Sequence, residues 1–352
     1  MTLDGLSNRA AWLTSAKSHP FDIAPAPIVP PGPSQVLIRA HAVAINPIDY
    51  KLQATAFIPL QYPAILGQDV AGEVVAVGAE VNRFKLGDRV LGVTAGSATR
   101  KNEERAFQEY VILEEGLTAP VPEGMAYERA VVVPLGATTG AAGLFLEGAL
   151  GLSLPTERRG EYKEQDGDSG KKEVVLVLGG ASSVGISAVQ LAVAAGYEVV
   201  ATSSPRKSET VLQLGATKVF DYHSHGVVDG LLEFTKGKAV VGVLDAVGAQ
   251  AQAIEFVQKA GGRKLVATTI PFEEPPEGVS VKFIQALSIK GTEVGKVIWE
   301  TYLPQALSDG RYVPAPEPVV VGKGLESIQK AVDLKARGGT QSDGKKIVVI
   351  LE

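Results

Sequence analysis

The segment that most restricts how this 352-residue chain can fold is Val174–Ala195. An apolar run from Val174 to Leu178 meets seven residues, Gly179-Gly180-Ala181-Ser182-Ser183-Val184-Gly185, that begin and end on glycine. Apolar residues then recur at Val184, Ala188, Leu191, Ala192 and Ala195, the spacing of one helix face. The pattern predicts a strand, a tight turn and a helix. A glycine-rich turn in that setting is either a plain corner or a place where helix N-terminal N–H groups can meet an anion.

The same rhythm continues downstream. Apolar strands are predicted at 174–178, 197–202, 218–221, 240–244, 264–268 and 287–290, with helical stretches between most of them. Near-continuous apolar strands alternating with helices imply a parallel sheet covered on both faces, a doubly wound α/β domain. Residues 1–125 have another texture, with short β-branched runs at 36–45, 69–78, 89–93 and 107–113 bounded by Pro and Gly. They read as an antiparallel, partly barrel-like β domain. That texture returns after residue 310 with "EPVVVGKG", a helix and the final strand "KKIVVILE". The predicted organisation is therefore a β-rich domain, 1–126 with 311–352, interrupted by an α/β domain at 127–310. The polar stretch 154–172 is expected to be a solvated loop or insertion. The strand "SIKGT" at 288–292 is the expected sheet edge, and both a monomer and a homodimer stay open.

Composition removes several classes. A net charge of −5 gives no reason to expect nucleic acid as a partner. The sequence has no cysteine, which excludes disulfides and thiolate metal ligands and fits a reducing compartment. No apolar run approaches the roughly 20 residues that span a bilayer, so a cytoplasmic protein without membrane contact is expected.

The second strand of the alternating region decides how the glycine turn is read. Nucleotide-binding folds of this kind that take NAD carry an acidic residue about 20 positions on, which grips the ribose 2′-hydroxyl. Here "YEVVATSSPRK" ends in Ser203, Ser204, Pro205, Arg206 and Lys207, with hydroxyls and two cations in place of a carboxylate. Such groups suit a 2′-phosphate through charge-assisted hydrogen bonds, so NADPH is the expected cofactor. Gly180, Ser182, Ser183 and Val184 are the candidate pyrophosphate site. Ser182 stands where the usual pattern has its middle glycine, and its hydroxyl can donate to a phosphate oxygen. Val247-Gly248 and Thr269-Ile270 lie at carboxyl ends of predicted parallel strands, where open α/β sheets bind ligands.

Several separate motifs then occur in one order: "AINPIDYK" (44–51), "ILGQDVAGEVVAVG" (65–78), "FKLGDRVLG" (84–92), "LGATTGAAGLF" (135–145), the glycine turn, "LGATKVFDY" (214–222) and "VLDAVG" (243–248). In these the chain resembles the medium-chain dehydrogenase/reductase superfamily over nearly its whole length. The resemblance implies a GroES-like catalytic domain and a Rossmann domain, with the active site in the cleft between them. Many relatives are zinc alcohol dehydrogenases. Their metal is held by a Cys near the position of Asn46, a His in a Gly-His-Glu motif and a second Cys. This chain has Asn46, then Gln68-Asp69 after Gly67, and no cysteine. Its four histidines, His19, His41, His223 and His225, show no clustered ligand spacing, so no metal is expected.

Without zinc, the resemblance narrows to quinone oxidoreductases and enoyl reductases, and looks most like the fungal enoyl reductases that serve polyketide synthases. It implies hydride transfer from NADPH to an activated C=C bond of a free or thioester-bound substrate, in fungal secondary metabolism. The alternatives are an NADPH-dependent carbonyl or alcohol oxidoreductase and a non-catalytic, structural or regulatory NADPH-binding protein. The candidate catalytic groups are Lys51, a cation for the ribose or a developing enolate; Tyr50, an acidic hydroxyl; and Asn46, an amide donor. Asp49 is expected to cap a turn or orient Lys51. The resemblance places Thr138 and Thr139 at the start of a linker helix facing the nicotinamide and Tyr222 near the adenosine 2′-phosphate. Ser342 is a further cofactor candidate.

Overall fold

Ten consecutive residues, Gln35–Ala44, form a strand of which only one is exposed, and this burial makes it the centre of a sheet. The computed structural model describes residues 3, 5–155, 173–272, 274–338 and 344–351. It divides into two compact units, Met1–Leu135 with Leu303–Glu352, and Gly136–Tyr302. The predicted loop lies outside the described residues from 156 to 172.

The strands are, in chain order, β1 (Asn8–Leu13), β2 (Asp22–Ala26), β3 (Gln35–Ala44), β4 (Ala64–Ile65), β5 (Asp69–Val77), β6 (Arg89–Val93), β7 (Tyr110–Glu114), β8 (Thr118–Pro120), β9 (Glu173–Leu178), β10 (Glu198–Ser203), β11 (Lys218–Asp221), β12 (Ala239–Asp245), β13 (Leu265–Thr268), β14 (Ser280–Phe283), β15 (Pro318–Lys323) and β16 (Lys346–Ile350). In the first unit, β15-β16-β3-β5-β6-β8 form one sheet, β7 adds to β3, and β2-β1-β4 form a smaller one. All pairings here are antiparallel except β15 with β16. Val36, Ile38, Val43, Val70, Val74, Val90 and Val349 meet in a core with helix Ile328–Ala336, which contributes Ile328, Ala331 and Val332. This is the antiparallel β domain that the β-branched runs imply, and the GroES-like fold that the family resemblance implies.

The second unit is a six-stranded parallel sheet in the order β11-β10-β9-β12-β13-β14. The order reverses beside β9, the strand that carries the glycine turn. Val174 to Leu178 are fully buried, as a strand covered on both faces requires. This is the doubly wound Rossmann fold. Its edge corrects one expectation: residues 287–290 do not form a strand, and β14 at Ser280–Phe283 holds the edge. Ser288 N donates to Gln285 O, Lys290 N to Leu287 O and Thr292 N to Ile289 O, so a one-turn 3₁₀ segment, Ala286–Ile289, uses the donors a ladder would need. The sheet edge therefore moves from "SIKGT" to β14. No helix among the described residues is long and apolar enough to cross a membrane.

Candidate functional site

In the α/β unit, the candidate dinucleotide-binding groups among the described residues follow carboxyl ends of strands, on the side where such folds bind ligands. Gly179 follows β9 at φ +76°, a conformation that side chains disfavour. Its N–H donates to Thr202 Oγ1 at 3.0 Å, and Gly180 N donates to Thr202 O at 2.8 Å, which pins the turn to β10. A Cβ on Gly185 would lie 2.1 Å from Gly179 O, so only glycine lets the helix start this close to the turn. Ser182 caps helix Ser183–Ala194, its Oγ accepting from Gly185 N at 3.0 Å. That leaves the hydroxyl hydrogen, and the N–H groups of Ser183 and Val184, at the positive end of the helix dipole. Both residues are half-buried.

At the end of β10 the two serines differ. Ser203 is buried and its hydroxyl donates to Ser204 O at 3.0 Å, beside Ser208 Oγ at 3.3 Å. This corrects the expectation of two hydroxyls facing a phosphate: a buried hydroxyl must be satisfied inside, and Ser203 is. Ser204 has the extended backbone of an N-cap and no side-chain cap bond. Pro205 opens the helix, followed by exposed Arg206 and half-buried Lys207. Tyr222, just past β11, donates its N–H to Ser203 O and lays its ring against His223 with centroids 4.2 Å apart.

Sequence reading missed the residue that assembles the other half of this rim. Asp245, fully buried at the end of β12, accepts from Val247 N, Gly248 N and Ala249 N at 3.1, 2.9 and 2.9 Å through one oxygen. Its other oxygen accepts from Thr268 Oγ1 at 3.1 Å. One carboxylate thus shapes the Val247-Gly248 turn and ties it to β13, bringing Gly248 beside Ile270: a Cβ on Gly248 would lie 3.0 Å from Ile270 Cγ1. The signal was the Asp in "VLDAVG", which a strand pattern alone does not separate from any other strand terminus. Ser342 lies outside the described residues. The Ser183 and Val184 N–H groups at the helix start, the two glycine close approaches and the Ser204–Lys207 segment fit a dinucleotide.

In the β-rich unit the register builds a buried polar cluster. β3 pairs with β5 so that Ala44 faces Asp69, and with β16 so that Ala44 faces Val348. Continuing the second register two residues past the strand end sets Lys346 opposite Asn46. Lys346 Nζ donates to Asn46 Oδ1 at 2.5 Å and pairs with Asp69 Oδ2 at 3.0 Å. Asn46 Nδ2 donates to Asp69 Oδ2 at 2.8 Å, and Leu135 N to Asp69 Oδ1 at 2.7 Å. The Asn46 amide is thus committed inward, which corrects its assignment as a donor to substrate. Lys51 lies half-buried on helix Pro47–Thr55, and neighbouring Tyr50 packs against the core. Thr138 and Thr139 are buried in the second turn of helix Pro134–Phe145 and do not begin it. Proline is favoured as the first helical residue, which sets the start four residues earlier.

Asp49 anchors the same helix: its Oδ2 accepts from Asn46 N at 2.7 Å, while Oδ1 is buried with no hydrogen-bond partner. Burial first, and then Asp69, push its carboxyl up to about 7, against the Asn46 N–H bond and the weaker pull of Lys346 and Arg105. The folded protein therefore holds a proton that the unfolded chain releases near pH 4. Asp49 contributes stability at acidic pH that is lost as pH rises from about 4 to about 7 and then changes no further. Asp49→Asn should remove this slope, by at most about 1.4 kcal/mol per pH unit. Urea unfolding at pH 5 and pH 8 of both proteins checks it; equal slopes would refute the assignment.

A model of the alcohol dehydrogenase GroES-like domain matches residues 32–132, and one of zinc-binding dehydrogenases matches residues 183–308. The chain is 44% identical to the zinc-binding alcohol dehydrogenase domain-containing protein cipB of Emericella nidulans, over 98% of this chain and 99% of that one. The chain belongs to the medium-chain dehydrogenase/reductase superfamily. It is also 35% identical to a trans-enoyl reductase of Aspergillus japonicus, over 98% of this chain and 97% of that one. A crystal structure of an alcohol dehydrogenase superfamily protein from Novosphingobium aromaticivorans shares the fold, with TM-score 0.76 and 24% identity across 98% of this chain and 100% of that one. As a superfamily oxidoreductase with a Rossmann unit, this protein binds a nicotinamide cofactor. The zinc named in one model does not fit the residues present. By the family resemblance Asn46 and Gln68 stand where zinc-dependent relatives have ligands, and Lys346 already brings a cation to Asn46 and Asp69. Among the described residues no group of three His, Cys, Asp or Glu could hold a metal.

Proposed function

We propose that this medium-chain dehydrogenase/reductase is a zinc-independent, NADPH-dependent reductase of activated C=C bonds, of the enoyl or quinone type. The observation that carries this reading is that Asn46, where the family resemblance puts a zinc-binding Cys, is taken up by Lys346 and Asp69. A simple ketone needs strong polarisation at oxygen, which a metal ordinarily supplies. A conjugated acceptor spreads the developing charge and needs only hydrogen-bond donors. The likeness to a trans-enoyl reductase supports the same choice, and makes an enoyl group a fitting substrate.

When bound, the cofactor supplies the hydride; the chain's own groups bind, orient and neutralise. Gly180, Ser182, Ser183 and Val184 would hold the pyrophosphate, with Ser204, Arg206, Lys207 and Tyr222 at the 2′-phosphate. Val247, Gly248, Thr269 and Ile270 would line the remainder of the dinucleotide. Lys51 would place its ammonium at the acceptor's carbonyl oxygen or the cofactor's ribose, Tyr50 would deliver a proton, and Thr139 would position the acceptor.

Deuterium-labelled NADPH tests the reaction with a panel of enals, enones, quinones and enoyl thioesters. Label is expected on the β-carbon of the acceptor. Label on a carbinol carbon would mean carbonyl reduction, and cofactor binding without turnover of any acceptor would mean a binding protein. Cofactor choice has its own check. A charge-assisted bond to phosphate contributes roughly 1.5–3 kcal/mol, so Lys207→Ala should weaken NADPH by about tenfold or more and leave NADH nearly unchanged. Fluorescence titration with both cofactors measures this; equal affinities in the unaltered protein would sink the NADPH reading. Chelators should leave activity and melting temperature unaltered, and stoichiometric zinc in purified protein, measured by elemental analysis, would overturn the metal-free mechanism.

A further inference from the structure

Arg105 has a side chain with no task in the cluster described above. It is 4% exposed, and its Nη1 is buried with no hydrogen-bond partner. Burial lowers the pKa of its guanidinium, yet an arginine stays charged, so this is a buried cation in need of an anion. Its neighbours do not supply one. Glu104, beside it in the chain, is occupied: Oε1 accepts from Gln35 Nε2 and Lys101 Nζ, and Oε2 from Thr99 Oγ1. Asp49 is the carboxylate that acts on Arg105, but its own burial keeps it substantially protonated near neutral pH.

Arg105 instead lines a surface cleft together with Leu60, Gln61, Arg100 and Asn102. Asn102 fixes the cleft wall by accepting from Ile65 N and donating to Pro63 O, at 3.0 and 3.1 Å. Arg100 is exposed and ends helix Gly96–Thr99 at φ 63°, a left-handed position where glycine would be less strained. The chain thus presents a second guanidinium here despite the backbone strain. Phe57 and Ile58, which precede the lining residues Pro59 and Leu60 in the chain, are 55% and 45% exposed. Two cations, one of them buried and unsatisfied, lie next to an exposed apolar strip.

We infer that this cleft is an anion-recognition subsite, where Arg105 and Arg100 grip the carboxylate or phosphate of a ligand whose apolar body lies along Phe57, Ile58 and Leu60. Resting on the reductase reading above, the ligand is the acceptor, and its anionic end is either its own carboxylate or the phosphate of a thioester-linked carrier arm. Planar guanidinium groups suit both anions through paired N–H donors.

Equilibrium binding of unreactive saturated probes tests this apart from any turnover. Isothermal titration with octanoate, octyl phosphate and methyl octanoate should give at least one anion about tenfold tighter than the uncharged ester. Octanoate ahead would identify the acceptor's own carboxylate, and octyl phosphate ahead a phosphate-bearing carrier. Arg105→Gln should abolish that preference while leaving methyl octanoate binding in place. Arg100→Ala, at an exposed position, should reduce it several-fold. Ester and anions binding alike, or both arginine variants keeping the full preference, would overturn the subsite. A failed labelling experiment with intact anion preference would instead overturn the reductase reading alone.

Discussion

Lys346→Met should lower the unfolding free energy by about 3–5 kcal/mol, the loss typical when one partner of a buried ion pair is removed. Lys346 and Asp69 are 3% and 0% exposed, so neither charge has water to fall back on. The lysine holds Asp69 Oδ2 and Asn46 Oδ1 together. Without it, a buried carboxylate retains only the neutral donors Asn46 Nδ2 and Leu135 N. Pairing Lys346→Met with Asp69→Asn removes both charges and should restore much of the lost stability, because an uncharged pair carries no uncompensated burial. Urea denaturation of the single and double variants measures both effects. A single-variant loss below about 1 kcal/mol, the scale of an exposed pair, would mean the cluster is solvated.

Lys51→Ala should reduce turnover by about 10²-fold while the melting temperature barely moves, since loss of a donor acting on the transition state has that size. The side chain is half-buried on helix Pro47–Thr55, outside the core, so its removal opens no cavity. Lys51→Arg keeps the charge and should recover part of the activity. Steady-state kinetics at saturating NADPH, with circular dichroism for the fold, separate the two effects. Full turnover by Lys51→Ala would remove Lys51 from the mechanism and leave Tyr50 and Thr139 as the candidate donors.

Both variants probe groups that differ in how readily they were found. Lys51 stands in "NPIDYK", a local motif whose residues follow one another along one helix turn, so proximity is built into the sequence. Lys346 is 300 positions from Asn46, and nothing in "KKIVVILE" tells which of its two lysines is buried or what it meets. The same division runs through the α/β unit. The glycine turn was legible because Gly179 and Gly185 satisfy steric needs that only glycine meets. The edge strand was misplaced because apolar residues at 287–290 satisfy an apolar pattern equally well in a 3₁₀ turn, and local N–H donors to Gln285 and Leu287 settle the matter.

By itself the sequence determined the fold class and the order of elements, because hydrophobic period and glycine placement act within a few residues of each other. It also determined the basic, carboxylate-free end of the second strand, a matter of residue type alone. The tertiary structure decided which polar groups are used up. It turned Ser203 and Asn46 inward, gave Asp245 the task of joining two strand ends, set Lys346 on Asp69, and left Arg105 without an anion. The reason is physical: burial raises the cost of every unpaired polar atom, and the partner that meets this cost is chosen by strand register and loop path, which bring together residues far apart in the chain.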